Sequence, residues 1–176
     1  MHPGYATLGH SYGAFVVLQH AVDYPGQPRG TIVSSGIAAA RWLAGVDQQL
    51  AAFEPAELRA LVISSWAAER QVQTEDEAAE LLEDQLPFHF LEPRGGALRE
   101  YRRRTAGLAR YAPEVIRHFA ARDYGGIDVE DRLGAVRHPV LVLAGRHDRV
   151  CPAGAAGPCP GGCQTPNLWC SRIPRT

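Results

Sequence analysis

Cysteine is absent from the first 150 residues of this 176-residue chain; Cys151, Cys159, Cys163 and Cys170 all lie in the tail. Their spacing lacks the paired C-x-x-C of a structural zinc site, and no secretory signal precedes them, so neither a metal nor a disulfide frame is expected. Long apolar runs are missing too. No stretch approaches the ~20 residues of a membrane span, and the opening residues lack the basic start and apolar core of a signal peptide, which points to a cytoplasmic protein without a membrane partner. Nor is there a surplus of charge. Lys plus Arg number 18 against 19 Asp plus Glu, a formal net charge of -1, which argues against nucleic acid as a partner. What remains, 45% hydrophobic and 21% charged residues, is the composition of an ordinary globular chain with one core, open to a small neutral substrate.

The hydropathy pattern alternates between short strands and helices. Tyr5 to Leu8 is β-prone and meets Gly9; from Gly13 onward Phe15, Val16, Leu18, Ala21 and Val22 recur at helical spacing until Pro25. Thr31 to Ser34 (TIVS) and Pro139 to Ala144 (PVLVLA) are apolar runs without polar alternation, the pattern of parallel strands covered on both faces. Residues 37 to 136 read as mainly helical. Pro55 precedes Leu58, Leu61, Val62 and Ser65 on one face; Thr74 and Glu77 form a capping-box pattern for a helix ending before Pro87; a third helix starts near Pro113, buries Val115, Ile116 and Phe119, and stops at Gly125 and Gly126. An insertion of this length is too long for a crossover and reads as a lid over one end of a sheet. The segment GAAGPCPGGCQTPNLWCSRIPRT, residues 154–176, shows neither period and is expected to be irregular.

The strongest chemical signal is Gly9-His10-Ser11-Tyr12-Gly13, a G-x-S-x-G placed between a strand end and a helix start. The sharp turn leaves no room for bulky neighbours, so Gly9 and Gly13 are expected to relieve clashes while the Ser11 hydroxyl stands exposed as a nucleophile. At a helix N-terminus, free N–H groups favour developing negative charge, and the Tyr12 N–H is the candidate oxyanion-hole donor. Asp148, in Gly145-Arg146-His147-Asp148 just after PVLVLA, is the candidate acid, since a carboxylate at the carboxyl end of a late strand can orient an imidazole at a site built there. Arg99, Arg102, Arg103, Arg104 and Arg110 read as a solvated face, and Glu80, Glu83 and Asp84 as exposed acids. Trp42, Trp66, Phe88 and Phe90 are expected to pack or line the lid.

Together, LGHSYGAFVVLQHAVDYPG and HPVLVLAGRHDRVCP, with helices between them, resemble the α/β-hydrolase superfamily, particularly its capped proline-iminopeptidase-like members, over residues 5–153. The resemblance implies an α/β fold truncated at both ends: a small parallel sheet equivalent to strands five to seven of eight, flanking helices and a helical cap. The expected division is a core part at 1–36 with the elbow, a cap at 37–130, a core part at 131–153 with the acid, and a tail at 154–176. The implied parent activity is serine-dependent hydrolysis of an ester, amide or amino-terminal (proline) peptide bond in a small molecule or short peptide. No cofactor is implied, and the resemblance offers Glu80, Glu83 and Asp84 a second role, as the carboxylates with which iminopeptidase-like caps hold a substrate's amino terminus.

Departures from that pattern bear on activity. The family places its histidine after an eighth strand, and no histidine follows Asp148; His10 and His147 adjoin the nucleophile and the acid, and His2, His20, His89, His118 and His138 are no better placed by order. The H-G-G-P-G loop that supplies a second oxyanion donor is also missing. Losing one such donor costs about 10²- to 10³-fold in turnover, and losing the triad base on the order of 10⁶-fold. The chain is therefore expected to be nearly inactive, its tail to reflect a shifted reading frame near Gly154 or Gly157, and its exposed sheet edges to favour self-association. The alternative is a non-catalytic pseudoenzyme or interaction module.

Overall fold

The computed structural model describes residues 4–121, 124–152 and 168–173. They divide into two compact units, Met1–Ala44 with Ile127–Thr176, and Gly45–Gly126.

The first unit is a parallel sheet. Strand β1 (Ala6–His10) leads into helix α1 (Tyr12–Asp23), followed by β2 (Gly30–Ser34), and after the second unit by β3 (Val140–Gly145) and β4 (Leu168–Ile173). The order is β1-β2-β3-β4, every pair parallel, with Gly9 opposite Val33 and Val33 opposite Val142. Alternation along the strands puts Thr31, Val33, Val140 and Val142 on one face. There they meet Ala14, Val17, Leu18 and Val22 of α1 with Val129 and Leu133, and this cluster is the core. Its polar exception is an ordered chain: His138, buried, bonds the Pro25 carbonyl through Nδ1 at 3.1 Å and Thr31 Oγ1 through Nε2 at 2.9 Å, and Thr31 Oγ1 lies 2.9 Å from Thr7 Oγ1. Because a carbonyl only accepts, Nδ1 carries a proton, and in the neutral ring the Thr31 hydroxyl donates to Nε2.

Two expectations fail here. The strand runs suggested burial on both faces, yet the face opposite α1 is open: Leu8 is 68% exposed, Leu141 37%, and Ile32 and Leu143 are only half-buried. The tail expected to be irregular contributes β4, which pairs with β3 from Leu168 opposite Val140 to Ile173 opposite Gly145. A fourth strand thus covers the edge of β3 that was expected to stand free, while β1 is paired on one side among the described residues. Residues 154–167 of that tail lie outside the description.

The second unit is helical: α2 (Val46–Ala51), α3 (Ala56–Ala68), α4 (Glu75–His89), α5 (Gly96–Thr105) and α6 (Pro113–Ala121). Pro55 caps α3, and α4 opens with the expected capping box, Glu77 N–H donating to Thr74 Oγ1 and Thr74 N–H to Glu77 Oε2, both at 3.2 Å. Pro87 does not end α4, which runs on to His89; so close to the helix end, the missing N–H removes one ladder bond from the final turn. The unit packs around Phe88, fully buried, with Phe53 and Trp66 edge-on at 5.1 and 5.3 Å. Burying one such ring contributes roughly 2–3 kcal/mol. In α6 Val115 is exposed rather than buried, and Ile116 and Phe119 are half-buried. Among the described residues, no helix is long and apolar enough to cross a membrane.

Candidate functional site

Ser11 stands between β1 and α1 with φ 51° and ψ -115°, a backbone conformation that costs a non-glycine residue about 1–3 kcal/mol and persists only where the surroundings enforce it. They do so through hydrogen bonds. The Ser11 N–H donates to the Ser34 carbonyl at 2.9 Å, and the Ser11 carbonyl accepts from Ala14 N–H at 3.0 Å. Ser11 caps α1 without a side-chain capping bond and is exposed, and Tyr12 opens the helix, its N–H in the first turn. The two glycines differ in role. A Cβ on Gly9 would lie 2.0 Å from the Gly13 carbonyl oxygen, so Gly9 is required; a Cβ on Gly13 would meet nothing within 4 Å, against the expectation that both relieve clashes. Gly13 is the backbone for which Gly9 makes room.

Asp148 sits three residues beyond β3, at the same C-terminal edge of the sheet as Ser11 after β1. Its Oδ1 accepts from the backbone N–H groups of Val150 at 3.0 Å and Cys151 at 2.8 Å, which hold the carboxylate in its turn. The buried Cys151 thiol beside it is pushed up to about 12, by burial first and by the Asp148 charge second.

The histidines are scattered. His20 Nε2 lies 3.1 Å from the Tyr5 hydroxyl, His138 belongs to the buried chain with Thr31, and His89 and His118 lie on α4 and α6. His2 falls outside the described residues. His10, at the end of β1, turns its Nδ1 to Ser34 Oγ at 3.1 Å. No described imidazole bonds Ser11 Oγ, and His10–Ser34 is a Ser–His pair that sequence order did not reveal. The parallel register that places His10 opposite Ser34 was the available signal.

In the helical unit, Arg102 pairs with Glu83, and Arg103 and Arg104 with Glu100 at 2.7 and 2.6 Å, so these guanidiniums already hold carboxylates. Glu83 is likewise engaged, and Glu80 is exposed. Trp42 belongs to the sheet unit, where it donates to Glu130 Oε2 at 2.8 Å. Burial raises the Glu69 carboxyl, which accepts from Gln85 Nε2 at 2.9 Å. Among the described residues, no three His, Cys, Asp or Glu side chains cluster as a metal site.

Residues 2–157 match the family described as serine aminopeptidase, S33. The chain belongs to that family. Its fold is the α/β-hydrolase fold in part, a small parallel sheet with flanking helices. An α/β fold family hydrolase from Bacillus anthracis str. Sterne superposes with TM-score 0.70 at 18% identity, over 96% of this chain and 59% of that one. Proline iminopeptidase of Mycobacterium smegmatis gives 0.54 at 22%, over 98% and 58%. A thermophilic esterase from Thermogutta terrifontis gives 0.58 at 20%, over 97% and 56%. The chain thus spans less than three fifths of these three structures, and at such identities the likeness is one of fold. No curated protein sequence matches it significantly.

Proposed function

We propose that the chain carries the nucleophile and acid of a serine hydrolase whose parent activity is hydrolysis of an ester, amide or amino-terminal (proline) peptide bond. The observation that carries this reading is the strained Ser11 turn, held on Ser34, at the same sheet edge as Asp148. In this reading Ser11 Oγ attacks the carbonyl, the Tyr12 N–H receives the developing oxyanion, and Asp148 orients the imidazole that takes the serine proton. In this reading the helical insertion at 37–130 corresponds to the cap of the family. No described imidazole bonds Ser11 Oγ, so in this reading a supplied imidazole acts as the base for Ser11.

Free imidazole provides the test. With a fluorophosphonate probe, Ser11 labelling should rise with imidazole concentration and vanish in Ser11→Ala. If Ser11 stays unlabelled in folded protein at every concentration, the nucleophile assignment fails.

A second reading, an interaction module that self-associates, is favoured by one observation: the open sheet face with Leu8 and Leu141 beside an edge of β1 that is unpaired among the described residues. Its occupant in this reading is a second copy of the chain.

A further inference from the structure

Among the described residues, the serine that has a histidine is not the one in the elbow. His10 and Ser34 are register partners on adjacent strands, with Nδ1 and Oγ 3.1 Å apart. Cross-strand partners share one face of a sheet; here it is the face away from α1, on which His10 is exposed and Ser34 half-buried. Both ends of the pair are fixed by backbone. The Ser34 carbonyl takes the Ser11 N–H at 2.9 Å; the next residue, Ser35, is held at φ 46° while its N–H donates to Leu143 O at 2.8 Å. Two strained serines therefore flank this contact along one sheet edge, and such strain gathers at functional sites. A hydroxyl and an imidazole within hydrogen-bond reach on rigid elements meet the geometric requirement for an activated nucleophile.

We propose that Ser34 and His10 form a second serine–histidine pair, which transfers acyl or phosphonyl groups from small activated esters at the open face of the sheet. The pair does not need Ser11 to react. With His10 neutral and protonated on Nε2, Nδ1 accepts the Ser34 hydroxyl hydrogen bond. As Oγ bonds to the carbonyl carbon, the hydroxyl proton passes to Nδ1. Collapse of the adduct breaks the bond to the leaving alcohol, which takes that proton from Nδ1. Water then attacks acyl-Ser34, giving one proton to Nδ1; the acid departs, and Oγ recovers the proton. With a fluorophosphonate the P–F bond breaks instead, fluoride leaves, and the imidazolium releases its proton to solvent.

The experiment is adduct mapping on the whole chain without added imidazole. Trypsin cuts after Arg29 and Arg41 and so separates Ser11, in residues 1–29, from Ser34, in residues 30–41. Fragment ions then separate Ser34 from Ser35. The expected result is an adduct on Ser34, absent in Ser34→Ala and formed about 10²-fold more slowly in His10→Ala, the lower range of a general-base contribution. An adduct on Ser11 alone would overturn this pair while supporting the elbow reading; an adduct on Ser34 alone, with imidazole failing to add one at Ser11, would do the reverse. Absence of any adduct on Ser34 in folded protein, or equal Ser34 labelling in His10→Ala, sinks the proposal.

Discussion

A methyl group on Gly9 would come within 2.0 Å of the Gly13 carbonyl oxygen and 2.7 Å of the Ala14 nitrogen. These neighbours are backbone in the first turn of α1 and cannot swing aside. Gly9→Ala should therefore cost about 3 kcal/mol or more, at or above the top of the usual range for overpacking. Gly13→Ala, with open space at its Cβ, should be neutral or stabilising by up to about 1 kcal/mol through helix propensity. Urea midpoints of the two variants check the contrast; equal costs would mean that the turn is looser than described.

Ser11 tests the link between strain and chemistry. At φ 51° a glycine escapes the Cβ penalty, which outweighs the backbone entropy glycine brings to the unfolded chain. Ser11→Gly is expected to stabilise the protein by about 1 kcal/mol while abolishing imidazole-dependent labelling. A destabilised Ser11→Gly in thermal unfolding would show that the Ser11 side chain contributes to stability.

Much of the sheet unit was legible because its signals are local. The TIVS and PVLVLA runs sit within a residue of β2 and β3, and the G-x-S-x-G turn falls between β1 and α1. Ser11 follows from that motif, and Asp148 from its place just after the PVLVLA run. What was not legible depends on distant partners. LWCSRI has no period of its own and becomes β4 by pairing with β3. Leu8 and Leu141 lie in runs that read as doubly covered, but whether a second layer exists is a tertiary fact. His10 and Ser34, 24 residues apart, meet only through the β1–β2 register. Pro87 misled because a proline in a last turn removes one bond without forbidding the helix.

Cys151 predicts a pH dependence. Burial and the Asp148 charge raise its thiol from 9.0 to about 12 in the fold, so between those values the folded chain retains a proton that the unfolded chain has released. Stability contributed by the protonated thiol is whole below about pH 9 and falls as pH rises toward 12, with a slope near 1.4 kcal/mol per pH unit. Cys151→Ala should lose that slope. At pH 8 the folded thiol should be alkylated far more slowly than in urea, with only ~10⁻⁴ of it as thiolate. Fast alkylation of native Cys151 would contradict its burial.

The open face of the sheet bears on association. Parallel sheets are normally covered on both sides, yet Leu8 and Leu141 on the side away from α1 meet solvent, beside an edge of β1 that pairs with nothing described. An apolar sheet face next to a free edge is a template for a second chain. The chain should therefore sediment as a dimer or larger species at micromolar concentration. Leu8→Lys, which sets a charge on both the face and the edge, should shift it at least tenfold toward monomer without unfolding it, because Leu8 already stands in water. Equilibrium sedimentation with far-UV circular dichroism decides the matter. A wild-type chain monomeric at all concentrations removes the self-association reading; a Leu8→Lys variant that associates unchanged moves the interface elsewhere.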